Sequence, residues 1–210
     1  MQLEELDAAT KSAVERVVSQ VSEILGRADS PHLRATSQSF VPDGVKIEEA
    51  LGGGNLNGPG RPPFTYDKRE LMELHREALL TSWRSEKPIH NLIVRAARKA
   101  VGEPWTVDIR LVSQAEHDAL RGQRAPIDEA VTKELRATRD VPAAWIMFGR
   151  ENRKPLRFAR KTNAIEELEL RPSLLASFEQ AEALYRARGL ELVTLVWHLE
   201  RDVSITEYFE

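Results

Sequence analysis

Six basic side chains fall within one twelve-residue stretch of the sequence, and the chemistry they suit is the binding of phosphate groups. The stretch covers positions 150–161 and holds a single acid, Glu151. Lysine and arginine neutralise the phosphates of RNA or DNA through contacts that weaken as salt rises. A solvated turn whose charges pair with nearby acids is the alternative interpretation. The basic residues are Arg150, Arg153, Lys154, Arg157, Arg160 and Lys161.

A second chemistry to consider is the binding of a divalent cation by Asp108, His198 and Glu200. His198 and Glu200 are two positions apart, so they share one face of the last predicted strand. Imidazole and carboxylate groups are ligands for such metals. A histidine at a strand end is, however, more often packed or hydrogen-bonded. We therefore predict no metal and no cofactor, and keep a metal-dependent enzyme as an alternative.

Local signatures of catalysis are missing from the sequence. It contains no cysteine, which excludes disulfides, cysteine zinc sites and a catalytic thiol. No two of its five histidines have the HExxH spacing, and no serine stands in a GxSxG elbow. The three glycines at 52–54 lack the lysine of a phosphate-binding loop. We predict no catalytic residue, although a site built from distant residues leaves no local signature.

Residues 66–72, Tyr-Asp-Lys-Arg-Glu-Leu-Met, place a tyrosine five and six positions before two apolar residues. This segment resembles the Tyr-x4-Leu-Φ motif of proteins that bind the cap-binding eukaryotic initiation factor 4E, where Φ is apolar. The resemblance implies a short helix that lies in a groove of a protein partner and acts in translation. Tyr66, Leu71 and Met72 are the partner-binding residues that it implies. Burial of Leu71 and Met72 in the chain's own core is the alternative.

Charge is unevenly divided along the chain. Residues 61–161 hold 21 basic and 14 acidic residues, whereas residues 162–210 hold 4 and 10. The net charge of -3 argues against a general coat for DNA. Acids stand at the N-terminus where a targeting peptide needs basic residues, and no apolar run reaches membrane-spanning length. This composition predicts a cytoplasmic or nuclear protein without a membrane partner.

The first half of the sequence predicts two helical segments joined by a linker. Val14, Val17 and Val21 recur at helical spacing and predict an amphipathic helix over 1–30. Residues 31–65 hold five of the eleven prolines and six of the eleven glycines, which predicts a flexible linker. The helical period then appears twice over 66–102, with a proline between, and predicts a helical hairpin.

Residues 103–210 predict a compact α+β domain. Apolar alternation from Trp105 to Leu111 is typical of a strand, and Ser113 with Glu116 forms a capping box that begins a helix. A hairpin, a second helix and a last strand follow along the chain. The order strand, helix, strand, strand, helix, strand is that of ferredoxin-like domains. We detect no internal sequence repeat.

These patterns lead to one main prediction about function and two alternatives. The main prediction is a non-catalytic adaptor or regulatory protein that engages a protein partner through an amphipathic helix. The first alternative is an RNA- or DNA-binding accessory protein that uses the basic hairpin at 150–161. The second is the metal-dependent enzyme described above. The sequence carries no signal for the oligomeric state.

Overall fold

The computed structural model describes residues 1–27, 34–40, 48–52, 68–137, 143–149, 156–159, 164–167, 171–198 and 204–209, which divide into two compact units. The first unit is Met1–His117 and the second is Asp118–Glu210. Both contain helices and antiparallel strands, so the predicted α+β class is confirmed. Within these ranges, no helix has both the length and the apolar composition to cross a membrane.

The first unit packs two helices against a four-stranded antiparallel sheet. After a short 3-10 helix at Leu3–Glu5, its elements are α1 (Ala8–Arg27), β1 (Arg34–Phe40), β2 (Glu48–Gly52), α2 (Lys68–Ser82), β3 (Ile89–Ala97) and β4 (Thr106–Ser113). The strand order is β2-β1-β3-β4. Both helices contact β3, while α2 also contacts β1 and α1 also contacts β4. The core of the unit therefore lies between the helix pair and the sheet.

Helix α1 forms where the sequence predicts an N-terminal amphipathic helix. Asp7 caps its first turn, because Asp7 Oδ1 accepts hydrogen bonds from the backbone N–H groups of Ala9 and Thr10, both at 3.0 Å. These bonds satisfy two N–H groups that a helix start leaves open. Val14, Val17 and Val21, the predicted stripe, are all buried in the core.

The predicted linker at 31–65 is wrong where the structure describes it, because β1 and β2 lie within that range and pair with each other. β1 also pairs with β3 and is thus an interior strand of the sheet. Among the β1 side chains that the structure describes, Ala35, Ser37 and Ser39 are buried, and all three are small or polar. The apolar alternation that marks a strand is therefore missing from the sequence. The rest of the predicted linker lies outside the described residues.

The predicted helical hairpin at 66–102 is half wrong. Its first helix is α2, but its second segment is the strand β3. Every residue from Ile89 to Val94 is buried, so both faces of the strand are covered. A short apolar run of this kind fits a central strand as well as a helix, and periodicity alone does not separate the two.

The second unit contains a five-stranded antiparallel sheet and two helices. Its elements are α3 (Gln114–Ala137, which begins in the first unit), β5 (Ala143–Gly149), β6 (Leu156–Ala159), β7 (Ala164–Glu167), α4 (Pro172–Arg186), β8 (Leu192–His198) and β9 (Ser204–Phe209). The strand order is β7-β6-β5-β8-β9. The ferredoxin-like arrangement is not confirmed, because β4 pairs with β3 in the first sheet. Alternation identifies a strand but does not identify the strand beside it.

The two units share one topology. Each runs helix, strand, strand, helix, strand, strand, with β7 as an additional strand in the second unit. The sheet order β2-β1-β3-β4 of the first unit corresponds to β6-β5-β8-β9 of the second, and β7 extends the β6 edge. The repeat is one of structure, where no repeat of sequence was detected.

The burial pattern matches the two units residue by residue. Five buried positions have the same spacing in α2 and in α4, and each series is followed seven residues later by a buried strand residue, Ile89 or Leu192. His75 in α2 therefore corresponds to Phe178 in α4. The two series are Leu71, His75, Ala78, Leu79, Ser82 and Leu174, Phe178, Ala181, Glu182, Tyr185.

Strand pairing extends this correspondence into the sheets. In the first unit Ser37 pairs with Val94 and Ser39 with Leu92. In the second, Ile146 pairs with Trp197 and Phe148 with Leu195. Ser37 therefore corresponds to Ile146, and Ser39 to Phe148. The first helices of the two units, α1 and α3, also correspond. Their buried residues have the same spacing, and the two series are Ala13, Val17, Val21, Ile24 and Leu120, Arg124, Asp128, Val131.

Candidate functional site

A buried histidine held by two serines lies in the core of the first unit. His75 is on the inner face of α2, and neither it nor Ser37 or Ser39 is more than 1% exposed. The Ser37 Oγ lies 2.7 Å from His75 Nε2, and the Ser39 Oγ lies 2.7 Å from Nδ1. Residues 37 and 39 reach the same ring because alternate strand residues share a face. We call these three residues the polar trio.

The protonation state of the polar trio follows from its burial, which lowers the pKa of His75 to about 4. The ring is therefore neutral near pH 7, with one N–H donor and one acceptor nitrogen. One serine accepts a hydrogen bond from the ring while the other donates one. A serine beside a neutral imidazole resembles an activated nucleophile. Here, however, both nitrogens are engaged and all three side chains are inaccessible, so the trio has no route to a substrate.

A second buried polar cluster occupies the helix pair of the second unit. Arg124 Nε donates to Asp128 Oδ2 at 2.8 Å, one helical turn away, and Arg124 Nη1 donates to the hydroxyl of Tyr185 on α4. Burial raises the pKa of Asp128, although the attraction of Arg124 opposes this shift. Burial therefore shifts the pKa of Asp128 more than the charge of Arg124 does. At the corresponding positions the first unit has Val17 and Val21.

We expect the Tyr185 hydroxyl to ionise only in strong alkali. Burial raises its pKa to about 12 from an ordinary value of 10.0. Because the folded-state pKa is the higher one, the contribution of Tyr185 to stability is present below pH 10 and is lost as the pH rises towards 12. An ultraviolet absorbance titration should show this late step, and Tyr185→Phe should remove it. A titration in which every tyrosine ionises near pH 10 would contradict the structure.

Two further histidines of the first unit stack against each other. The ring centroids of His90 and His117 are 3.4 Å apart with an interplanar angle of 13°. His90 Nδ1 lies 3.1 Å from Gln114 Oε1, at the start of α3. Both rings are more than nine-tenths buried. In the described ranges no group of three histidine or carboxylate side chains is arranged to hold a metal ion.

Three large apolar side chains on and just after α2 remain exposed. Met72, Leu80 and Trp83 are 41%, 40% and 48% exposed. At about 100° per residue they fall within an arc of about 80°, so they form one stripe about 16 Å long. The Trp83 indole N–H donates to the carbonyl of Ile89 at 3.1 Å, which fixes the ring at the end of the helix. We call these three residues the α2 stripe.

Charged side chains lie within and beside the α2 stripe, and Arg76 falls between Met72 and Leu80 along it. Arg76 lies 3.7 Å from Glu73, and Glu77 lies 2.7 Å from Arg16 of α1. Arg84 lies beside the stripe and lines two shallow clefts with Thr81. No ion pair to Arg84 occurs among the residues that the structure describes.

The residues of the Tyr-x4-Leu-Φ motif have different environments. Leu71 is fully buried in the core of the first unit, whereas Met72 belongs to the α2 stripe. Tyr66 lies outside the described residues. Binding through both Leu71 and Met72 would require α2 to leave the sheet, and the resemblance therefore stays a prediction.

Most of the basic stretch lies outside the described residues. The residues concerned are Arg150, Arg153, Lys154, Arg160 and Lys161. Arg157 is on β6, where its position pairs with Glu166 of β7. The prediction that these basic residues bind nucleic acid stays a prediction.

Two of the residues considered for a metal, Asp108 and His198, lie on strands of different sheets. Asp108 is on β4 of the first sheet, and His198 is the last residue of β8 in the second. Glu200 is outside the described residues. The metal-binding alternative required the strand of Asp108 to be next to that of His198, and β4 and β8 are not neighbours.

The class of protein that these features define is an α+β protein built from two units of one topology. Comparison with known proteins finds no family model that matches the chain, no similar curated protein and no similar solved structure. The case for a function therefore rests on the described side chains alone.

Proposed function

We propose that the protein is a non-catalytic adaptor or regulatory protein that binds a protein partner through the outer face of α2. The observation that carries this proposal is the α2 stripe, three exposed apolar side chains in line on a helix whose other face is fixed in the core. Buried aromatic and aliphatic anchors supply most of the free energy of typical protein interfaces. We favour an adaptor over an enzyme because the side chains of the polar trio and of the Arg124–Asp128–Tyr185 cluster are buried, where a substrate would not reach them.

The chemistry of the stripe indicates the kind of partner. A straight stripe about 16 Å long fits the apolar face of a second helix of about three turns. Arg76 lies within the arc of the stripe and Arg84 lies beside it, and only Arg76 has a carboxylate nearby within the described part of the chain. A helix with apolar residues at three- and four-residue spacing and an acid near Arg84 is therefore the partner that we propose.

A photo-crosslinking amino acid at position 80 tests the proposal, with the same amino acid at position 70 as the matched control. Both positions are exposed on α2, but Glu70 lies about 120° around the helix from the centre of the stripe, on the side that contacts Gln20 of α1. We expect a protein adduct from position 80 that is weaker or absent from position 70. The double variant Met72→Ser/Leu80→Ser should lower affinity for the captured protein by at least about tenfold, since it removes two anchors, while Glu70→Ala should leave it unchanged.

Two results would contradict this function. Equal adducts from both positions would show that the stripe is not an interface. Recovery of RNA or DNA in place of protein, lost when Arg153, Lys154 and Arg157 are replaced, would favour the nucleic-acid alternative, which the density of basic residues at 150–161 supports.

A further inference from the structure

The polar trio is not required by the topology of the first unit. At the positions that correspond to Ser37, Ser39 and His75, the second unit has Ile146, Phe148 and Phe178. The same arrangement of helices and strands therefore forms with apolar residues at all three places. A histidine is the side chain whose charge changes between pH 5 and pH 8. The position that holds this histidine in α2 holds a phenylalanine in α4.

Among the residues that the structure describes, the groups packed around His75 offer a positive charge no compensation. Leu92 and Val94 of β3 pair with Ser39 and Ser37, and α1 adds valines to the same core. Arg16 with Glu77, and Gln20 with Glu70, join α1 to α2 at exposed positions. His90 stacks on His117 instead. Burial lowers the pKa of His75.

The direction of the pH effect follows from the two protonation states. Unfolded histidine has a pKa near 6.5, and folded His75 has a pKa of about 4. Between these values the unfolded unit binds a proton that the folded unit excludes. The stability that depends on neutral His75 is thus present above pH 6.5 and is lost as the pH falls towards 4.

We propose that α2 and β1 of the first unit form an acid-responsive element, in which protonation of His75 breaks the polar trio and loosens α2 from the sheet while the second unit stays folded. Protonation places a hydrogen on both ring nitrogens, so the serine that donated to the ring loses its acceptor. Because α2 also carries the α2 stripe, acid would release a bound partner. This last consequence rests on the function proposed above.

Hydrogen exchange of the full chain, followed by mass spectrometry and corrected for intrinsic exchange rates, tests the element without any partner. Between pH 7 and pH 5 we expect protection in α2, β1 and β3 to fall roughly 20-fold, as the two pKa values require. Peptides from α4 and β8 should keep their protection. Asp128, whose pKa is raised by burial, shifts the stability of the second unit in the opposite direction as the pH falls.

Two variants separate His75 from the other titrating groups. His75→Gln keeps two polar atoms but does not titrate. Ser37→Ala/Ser39→Ala/His75→Leu places apolar residues at all three positions, which is the residue type that the sequence has at the equivalent positions of the second unit. In both variants we expect protection of α2 that no longer falls between pH 7 and pH 5. If the fall persists in full, its source is another group such as the His90–His117 pair, and the proposal is overturned.

The outcome is also distinct from that of the proposed function. Unchanged protection of α2 in the unmodified protein, or an equal loss in α4, would refute the acid-responsive element even if the position 80 crosslink succeeds. Conversely, a failed crosslink at pH 7 removes the partner but leaves the exchange result as it stands.

Discussion

Asp128→Ala is expected to lower the free energy of unfolding of the second unit by about 3 to 5 kcal/mol, the range found when one partner of a buried ion pair is removed. Asp128 is 8% exposed and Arg124 is 3% exposed, so the guanidinium that loses its carboxylate remains largely shielded from water. Denaturant unfolding of the variant and the unmodified chain, with separate probes for the two units, gives this difference.

The matched control removes the whole cluster. Arg124→Met/Asp128→Leu/Tyr185→Phe replaces the charges by apolar side chains of similar volume and leaves no hydroxyl without its donor. We expect this variant to be within about 1.5 kcal/mol of the unmodified protein, because volume-conserving apolar replacements are tolerated and a buried pair contributes little net stability. The raised pKa of Asp128 also indicates that the buried pair contributes little net stability, because burial disfavours the charged carboxylate. A triple variant as unstable as Asp128→Ala would show that the pair is strongly stabilising.

Leu71→Ala should lower the free energy of unfolding of the first unit by about 2 to 5 kcal/mol, whereas Met72→Ala should change it by less than about 0.5 kcal/mol. The two residues are adjacent, but Leu71 is fully buried and Met72 is 41% exposed. Denaturant unfolding again measures the effect. The comparison bears on the Tyr-x4-Leu-Φ resemblance, which gives both residues one role at an interface.

The opposite pattern would support that resemblance. If Leu71→Ala leaves the first unit as stable as before and abolishes partner binding, then Leu71 acts at an interface and not in the core. A conservative Leu71→Met variant is the control, because it keeps the volume of the side chain and should cost less than about 1.5 kcal/mol.

The sequence predicts those elements whose apolar residues occupy one face. α1 was predicted because Val14, Val17 and Val21 all face the core. β4 and α4 were predicted for similar reasons, and the N–H of Glu116 does donate to the Ser113 Oγ at 3.1 Å, as the capping box requires. Where both faces of an element are buried, as in β3, the period is lost and the type of element is ambiguous.

The polar clusters were not predicted, and the reason is the same for each. Ser37 and Ser39 are small polar residues in a stretch rich in glycine and proline, so nothing marks them as core. His75 belongs to a polar cluster only because it hydrogen-bonds to those serines, which are 38 and 36 positions away in the sequence. Arg124 and Asp128 do have the i, i+4 spacing of an ion pair, but that spacing is usual on exposed helix faces. Burial, which makes these groups notable, is a property of the fold and not of the local sequence.

The shared topology of the two units has a consequence for the exchange of parts between them. The buried positions of α2 and α4 have the same spacing but different side chains, among them His75 in one helix and Phe178 in the other. A synthetic gene in which α2 and α4 trade places would therefore measure how specific each helix is for its own sheet.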